Sequence, residues 1–203
     1  MKLIAICGGT NSGKTTISKK IIELLPNTFL EEPDKLMFKY TDLCQKEIFE
    51  NLGIEKDPNI IDRDYFFANY ENVKIWQKTI EPFVINDIEE QISKVKTQYE
   101  YMLIDWAYLP LSDFFDKCDV KILIKSDDSN REARINSRFN GESNEQYGTN
   151  QWKNETLLNR IKFNQKVSDD IREKFDYIIY NNSTLENLYE NANKIINEII
   201  KKW

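Results

Sequence analysis

A chain of 203 residues, 40% apolar and with a net charge of −6, has the size and composition of one globular domain with a substantial core. The acidic balance argues against a general nucleic-acid binder, whose domain would carry a basic face, and no apolar run approaches the ~18 residues of a membrane span. The sequence contains no histidine, which excludes His-based triads, His-ligated zinc and histidine general bases, so proton transfer falls to carboxylates, lysine, tyrosine or cysteine.

In chain order, residues 2–7 are apolar and β-branched and stop at Gly8-Gly9, the pattern of a buried strand. GKTTISKKIIELL, 13–25, has helical apolar spacing and ends before Pro26. TFLEE, 28–32, predicts a short strand closed by Pro33, and 35–53 an amphipathic helix ending at Gly53. Residues 62–97 predict helix, broken near Pro82. YMLID, 101–105, and VKILIK, 120–125, are buried strands. Charged helices follow over 129–139 and 151–174, separated by the polar loop NGESNEQYGTN, 140–150. DYIIY, 176–180, is a last strand and 184–202 a last helix. Strands alternating with helices imply a three-layer α/β/α fold around a five-stranded parallel sheet. No internal repeat or long linker divides residues 1–203, which are read as a single domain. Cys7, Cys44 and Cys118 have no zinc or redox spacing and read as buried thiols of a cytoplasmic protein. Trp76, Trp106 and Trp152 lie in apolar stretches, the ordinary place of core anchors.

The first turn carries the clearest chemistry. GGTNSGKTT, 8–16, fits Gly-x-x-x-x-Gly-Lys-[Ser/Thr] between a strand and a helix, the context a P-loop needs. Glycines let successive N–H groups converge on one anion, and the helix start adds its positive end. Gly8, Gly9, Thr10, Asn11, Ser12, Gly13, Lys14, Thr15 and Thr16 are therefore candidate ATP contacts. Lys14, expected on a solvent-facing turn, would reach the β- and γ-phosphates, and Thr15 would ligate Mg²⁺. No Asn-Lys-x-Asp guanine signature stands in a loop, and the chain is small for a motor. A small-molecule kinase fits best.

Two further groups suit phosphoryl transfer. Arg131, Arg134 and Arg138, spaced i, i+3, i+7, would share a helix face and, with the loop after them, form a lid over 128–165. Arg134 and Arg138 are the candidates to neutralise the moving phosphoryl group; a solvated face pairing with Asp128, Glu132 or Glu142 is the plainer alternative. Asp105, at a strand end, has the position of an acid that serves Mg²⁺. Asp34, after the second strand, is the candidate base for the acceptor hydroxyl, with Glu31 and Glu32 as neighbours and an N-cap as its plainer role.

Together GGTNSGKTT, EEPDKL, IDRDYFFANYENVKIWQKTIEPFV, YEYMLIDWAYLP, REARINSR, RIKFNQ and FDYIIYNNSTLENL resemble the dephospho-coenzyme A kinase family of P-loop nucleoside and nucleotide kinases. Asp34 falls where that family's catalytic aspartate would be. Glu81-Pro82 replaces its His-Pro, and Trp106–Leu109 replaces its usual segment after the third strand. The resemblance implies Mg²⁺-dependent transfer of the ATP γ-phosphate to the ribose 3′-hydroxyl of dephospho-CoA, a step of coenzyme A biosynthesis. It also implies an acceptor pocket shaped by the helical region 35–98 and an Asn181-Asn182 loop, with Asn182 bordering adenine. More local likenesses point to uridine, nicotinamide riboside and deoxynucleoside kinases. A nucleotide-binding protein without kinase activity is the reading from another class.

Overall fold

The five apolar runs pair into one parallel sheet. The computed structural model describes residues 1–55, 69–139 and 154–203. Arg63, the start of the helix expected from 62, the loop 140–150 with Glu142, and Trp152 lie outside the described residues, as do the side chains of Arg138 and Arg160. The strands are β1 (Lys2–Cys7), β2 (Thr28–Glu31), β3 (Tyr101–Asp105), β4 (Val120–Lys125) and β5 (Tyr177–Tyr180), in the spatial order β2-β3-β1-β4-β5. In register, Ile6 pairs with Asp105 and Ile122, and Glu31 with Ile104. The carboxyl ends of all five strands therefore line one edge, and the order reverses at β1, where ligands of such sheets gather.

The alternation inside each strand explains the layers. Ile4, Ile6, Leu103, Ile122 and Ile124 face one way and pack with Ile17 and Ile21 of α1 (Lys14–Leu24). Ala5, Cys7, Met102, Ile104 and Leu123 face the other way, into a second cluster. Both faces are covered, so the strands read as continuous apolar runs and not as alternating ones. The second cluster takes its other wall from α2 (Asp34–Leu43), α3 (Gln45–Leu52) and α4 (Tyr70–Val95). α5 (Asp128–Phe139) and α6 (Asn154–Asp169) connect β4 to β5, and α7 (Leu185–Lys202) closes the chain with Leu188, Ala192, Ile196 and Ile199 inward on the first cluster.

Three expectations need correction. The helix expected over 35–53 is two helices, meeting at Cys44 with φ −99° and ψ 12°. α4 does not break at Pro82: it runs unbroken for 26 residues with the proline inside it. The segment ending at 174 leaves the α-helix at Asp169 and finishes in a 3₁₀ turn, Arg172–Lys174. Trp76 and Trp106 are core residues, with the indole N–H of Trp76 on Thr41 Oγ1 at 2.9 Å and that of Trp106 on Met37 Sδ at 2.9 Å. All three cysteines are free and buried, and burial pushes the Cys118 thiol up to about 12. Among the described residues no helix is long and apolar enough to cross a membrane.

Candidate active site

The turn after β1 can only be made with glycine at its ends. Gly8 has φ 142°, and a Cβ there would stand 2.2 Å from the Ile124 carbonyl oxygen. Gly13 has φ 105°, and a Cβ there would meet Asn181 Nδ2 at 2.4 Å. Between them the chain curls into a cup, with Asn11 also left-handed at φ 58°. No side chain caps α1, which leaves its first N–H groups for a ligand.

Lys14 is buried, not solvent-facing as the sequence suggested. Its Nζ donates to Gly8 O at 3.1 Å and Gly9 O at 3.4 Å, folding the amine back over the cup. Thr15 stands exposed on the next position, with Oγ1 3.3 Å from Asp105 Oδ2. Ser18 Oγ, one turn later on α1, also donates to Asp105 Oδ2 at 3.1 Å. Asp105 is 4% exposed. Burial, opposed by Lys14 and reinforced by Asp34, raises its pKa to about 6. A buried carboxylate that meets a P-loop hydroxyl supplies the oxygen donors a hard cation takes, and phosphates and water would supply the rest for Mg²⁺. Thr15 and Asp105 therefore fit Mg²⁺.

Asp34 opens α2, with Pro33 and not Asp34 in the N-cap position. Its half-exposed carboxylate makes no hydrogen bond or ion pair among the described residues, while Glu32 is engaged with Lys35 at 2.6 Å. Glu31 is half-buried, and burial with Asp87 and Glu32 nearby raises its pKa. On the acceptor side, burial also raises Glu81, which interacts with Ser112.

Arg131 and Arg134 do not lie on the solvated face that was the plainer alternative. Arg131 is fully buried, paired with Asp128, and its Nη1 would lie 2.3 Å from a Cβ on Gly9. Arg134 reaches back to the turn: Nη1 donates to Asn11 O at 3.0 Å and Ser126 Oγ at 3.2 Å, and Nη2 to Asn181 O at 2.9 Å. The amino-terminal half of α5 is thus part of the turn's support. Asn182 is exposed, and its Oδ1 accepts from Asp127 N at 2.9 Å, whereas Asn181 Nδ2 holds Ser12 O at 2.8 Å. Thr16 is half-buried on α1.

Sequence reasoning missed Ser18, Asn164 and Gln165. Ser18 was readable, since it lies one turn from Thr15 on the same helix face. Asn164 Nδ2 donates to Thr10 Oγ1 at 2.8 Å, and Gln165 Oε1 lies 3.1 Å from the place of a Gly9 Cβ. Both lie in RIKFNQ, which carries part of the family resemblance, but nothing local in the sequence assigns either one to the turn.

No family model matches the chain. A dephospho-CoA kinase of Fusobacterium nucleatum is 29% identical over 206 aligned positions, 97% of this chain and 98% of that protein. A solved dephospho-CoA kinase from Campylobacter jejuni superposes with a TM-score of 0.55 at 21% identity, covering 100% of this chain and 99% of the other. The chain is a P-loop kinase. It is similar from end to end to dephospho-CoA kinases, and over 62% of its length it is also 28% identical to a uridine kinase of Clostridium tetani. The five-stranded sheet and the glycine turn are the P-loop kinase fold, and the chain is an ATP-dependent phosphotransferase.

Proposed function

We propose that this kinase transfers the γ-phosphate of ATP to the ribose 3′-hydroxyl of dephospho-CoA. The observation that carries the reading is the grouping of Lys14, Thr15 and Asp105 at one strand edge, with the unengaged carboxylate of Asp34 close enough to raise the Asp105 pKa. One acid is buried and pointed at a cation ligand; the other is open to an incoming hydroxyl. The end-to-end similarity to dephospho-CoA kinases supports the acceptor.

Gly8–Thr16 hold the phosphates through backbone N–H groups and the start of α1. Lys14 leaves the Gly8 and Gly9 carbonyls for the β- and γ-phosphate oxygens, where its charge offsets what builds up as the phosphoryl group moves. Asp34 accepts the proton of the attacking hydroxyl. Thr15 and Asp105 would hold Mg²⁺, which when bound neutralises phosphate charge. Arg134 and Arg138 add guanidinium charge as the lid region closes, and the 35–98 helices shape the acceptor pocket. Asn182 borders the donor base.

The test is an acceptor panel. Purified protein with labelled ATP and Mg²⁺ is offered dephospho-CoA, uridine, nicotinamide riboside and deoxynucleosides in turn. Preferred labelling of dephospho-CoA supports the reading. Preferred labelling of a nucleoside replaces it with a nucleoside kinase, and ATP binding without transfer to any acceptor replaces it with a binding protein.

A further inference from the structure

The cup of the phosphate turn is held from two sides. Its first half, Gly8 and Gly9, carries the Lys14 amine on its carbonyls. Its second half, Asn11 and Ser12, is held by Arg134 of α5 and by Asn181 just after β5. On the kinase reading, in which the Lys14 amine serves the γ-phosphate, the first half is the γ-phosphate end. Two hydroxyls belong to the turn. That of Ser12 is fully buried, whereas Thr10 is half-buried at the γ end.

Among the described residues one side chain holds Thr10: Asn164 of α6, from 154 residues away, with Nδ2 2.8 Å from Thr10 Oγ1. Asn164 is 1% exposed, and its Oδ1 has no hydrogen-bond partner among the described residues. Burying an amide with one atom unpaired costs about 1–3 kcal/mol, and a leucine of similar volume would avoid that cost. The amide is thus better explained by what it does to Thr10. A hydroxyl oxygen that accepts from Asn164 keeps its own proton to donate outward. At the γ end, the acceptor for that proton is a phosphoryl oxygen, a charge-assisted bond.

We propose that Thr10 donates a hydrogen bond to the transferring phosphoryl group and that Asn164 is the positioning residue that orients it. The inference deepens the kinase reading and rests on ATP occupying the turn. A bond that strengthens as charge develops on the phosphoryl oxygens raises the rate more than the affinity.

The test compares Thr10→Val, Asn164→Leu, their combination and Thr10→Ser. Loss of γ-phosphate from bound ATP is followed in a single turnover with and without dephospho-CoA, and ATP affinity is titrated separately. Each of the first two changes is expected to slow phosphate loss roughly ten- to a hundred-fold, the worth of one hydrogen bond to a charged group, with ATP Kd within about threefold. The double variant should be no slower than the slower single one, since both break one unit. Thr10→Ser should recover most of the rate lost in Thr10→Val. Multiplying losses in the double variant, an unchanged rate in Thr10→Val, or weakened ATP binding that accounts for the whole effect overturns the proposal. Thr10→Val is isosteric and half-exposed, so it decides the matter even if Asn164→Leu does not fold. If dephospho-CoA fails to accelerate the unchanged protein, the acceptor assignment falls, while the comparison on ATP hydrolysis alone still judges Thr10 and Asn164.

Discussion

Lys14 shows how a residue can be legible in type and wrong in setting. Its place in the motif named its job, but not that the amine folds onto Gly8 O and Gly9 O. Replacing it by alanine removes both a phosphate contact and two internal hydrogen bonds. Lys14→Ala is expected to slow transfer roughly a hundred- to a thousand-fold and to lower stability by about 1–2 kcal/mol, two modest bonds to carbonyls. A rate assay beside a urea melt separates the two, and near-normal turnover would refute the phosphate assignment. Asp34 is the complementary case. It is not the N-cap, so Asp34→Asn cannot act by breaking one. It loses only a first-turn charge, worth about 0.3–1 kcal/mol. The expected result is a strong fall in kcat at little change in ATP Kd. Equal activity of the two proteins would move the base to Glu31 or Glu32.

Elements were read best where the signals agree. The inner strands β1, β3 and β4 are mostly buried on both faces, and the half-buried edge strands β2 and β5 stop close to Pro33 and Asn181-Asn182, so burial and turn residues together set their limits. Helices went wrong where two forces compete. The 35–53 pattern is continuously amphipathic, yet the chain turns at Cys44 so that α2 and α3 can both pack on α4. At Pro82 the opposite holds. Proline disfavours the helix interior by about 3 kcal/mol, but Ile80, Val84 and Ile88 are fully buried on either side of it and carry the helix through. Pro82 itself is exposed, so its ring contributes no core packing. Pro82→Ala is therefore expected to stabilise the protein by about 2 kcal/mol, raising Tm by roughly 4–8 °C for a chain of this length. An unchanged or lower Tm would show that α4 depends on the proline at this position.

At the scale of the molecule, the sheet order places pieces from the whole chain at one edge, and this part was not legible locally. Asn164 meets Thr10, Arg134 meets Asn11 and Asn181 meets Ser12 across separations of 154, 123 and 169 residues. No spacing rule reaches that far; only the fold brings them together. The same assembly makes the site a liability to stability. Asp105 is buried beside Asp34, and its pKa rises from 3.8 to about 6. Between about pH 4 and pH 6 the folded protein retains a proton that the unfolded chain has released, so stability falls as pH rises through this window. Above it the full penalty persists, roughly 3 kcal/mol for about two pH units. Below pH 4 both states are protonated and the penalty vanishes. Asp105→Asn keeps a partner for Thr15 and Ser18 but carries no charge. Without nucleotide or metal, it should be more stable than the unchanged protein at pH 7.5 by up to about 3 kcal/mol, with the advantage gone near pH 4. ATP with Mg²⁺ should stabilise the unchanged protein more than the variant, and the variant should transfer phosphate far more slowly. Urea unfolding at the two pH values checks the first part. An advantage that is the same at both would mean that the carboxyl is not held protonated by its burial, and that the acid at the end of β3 is no more strained than one on the surface.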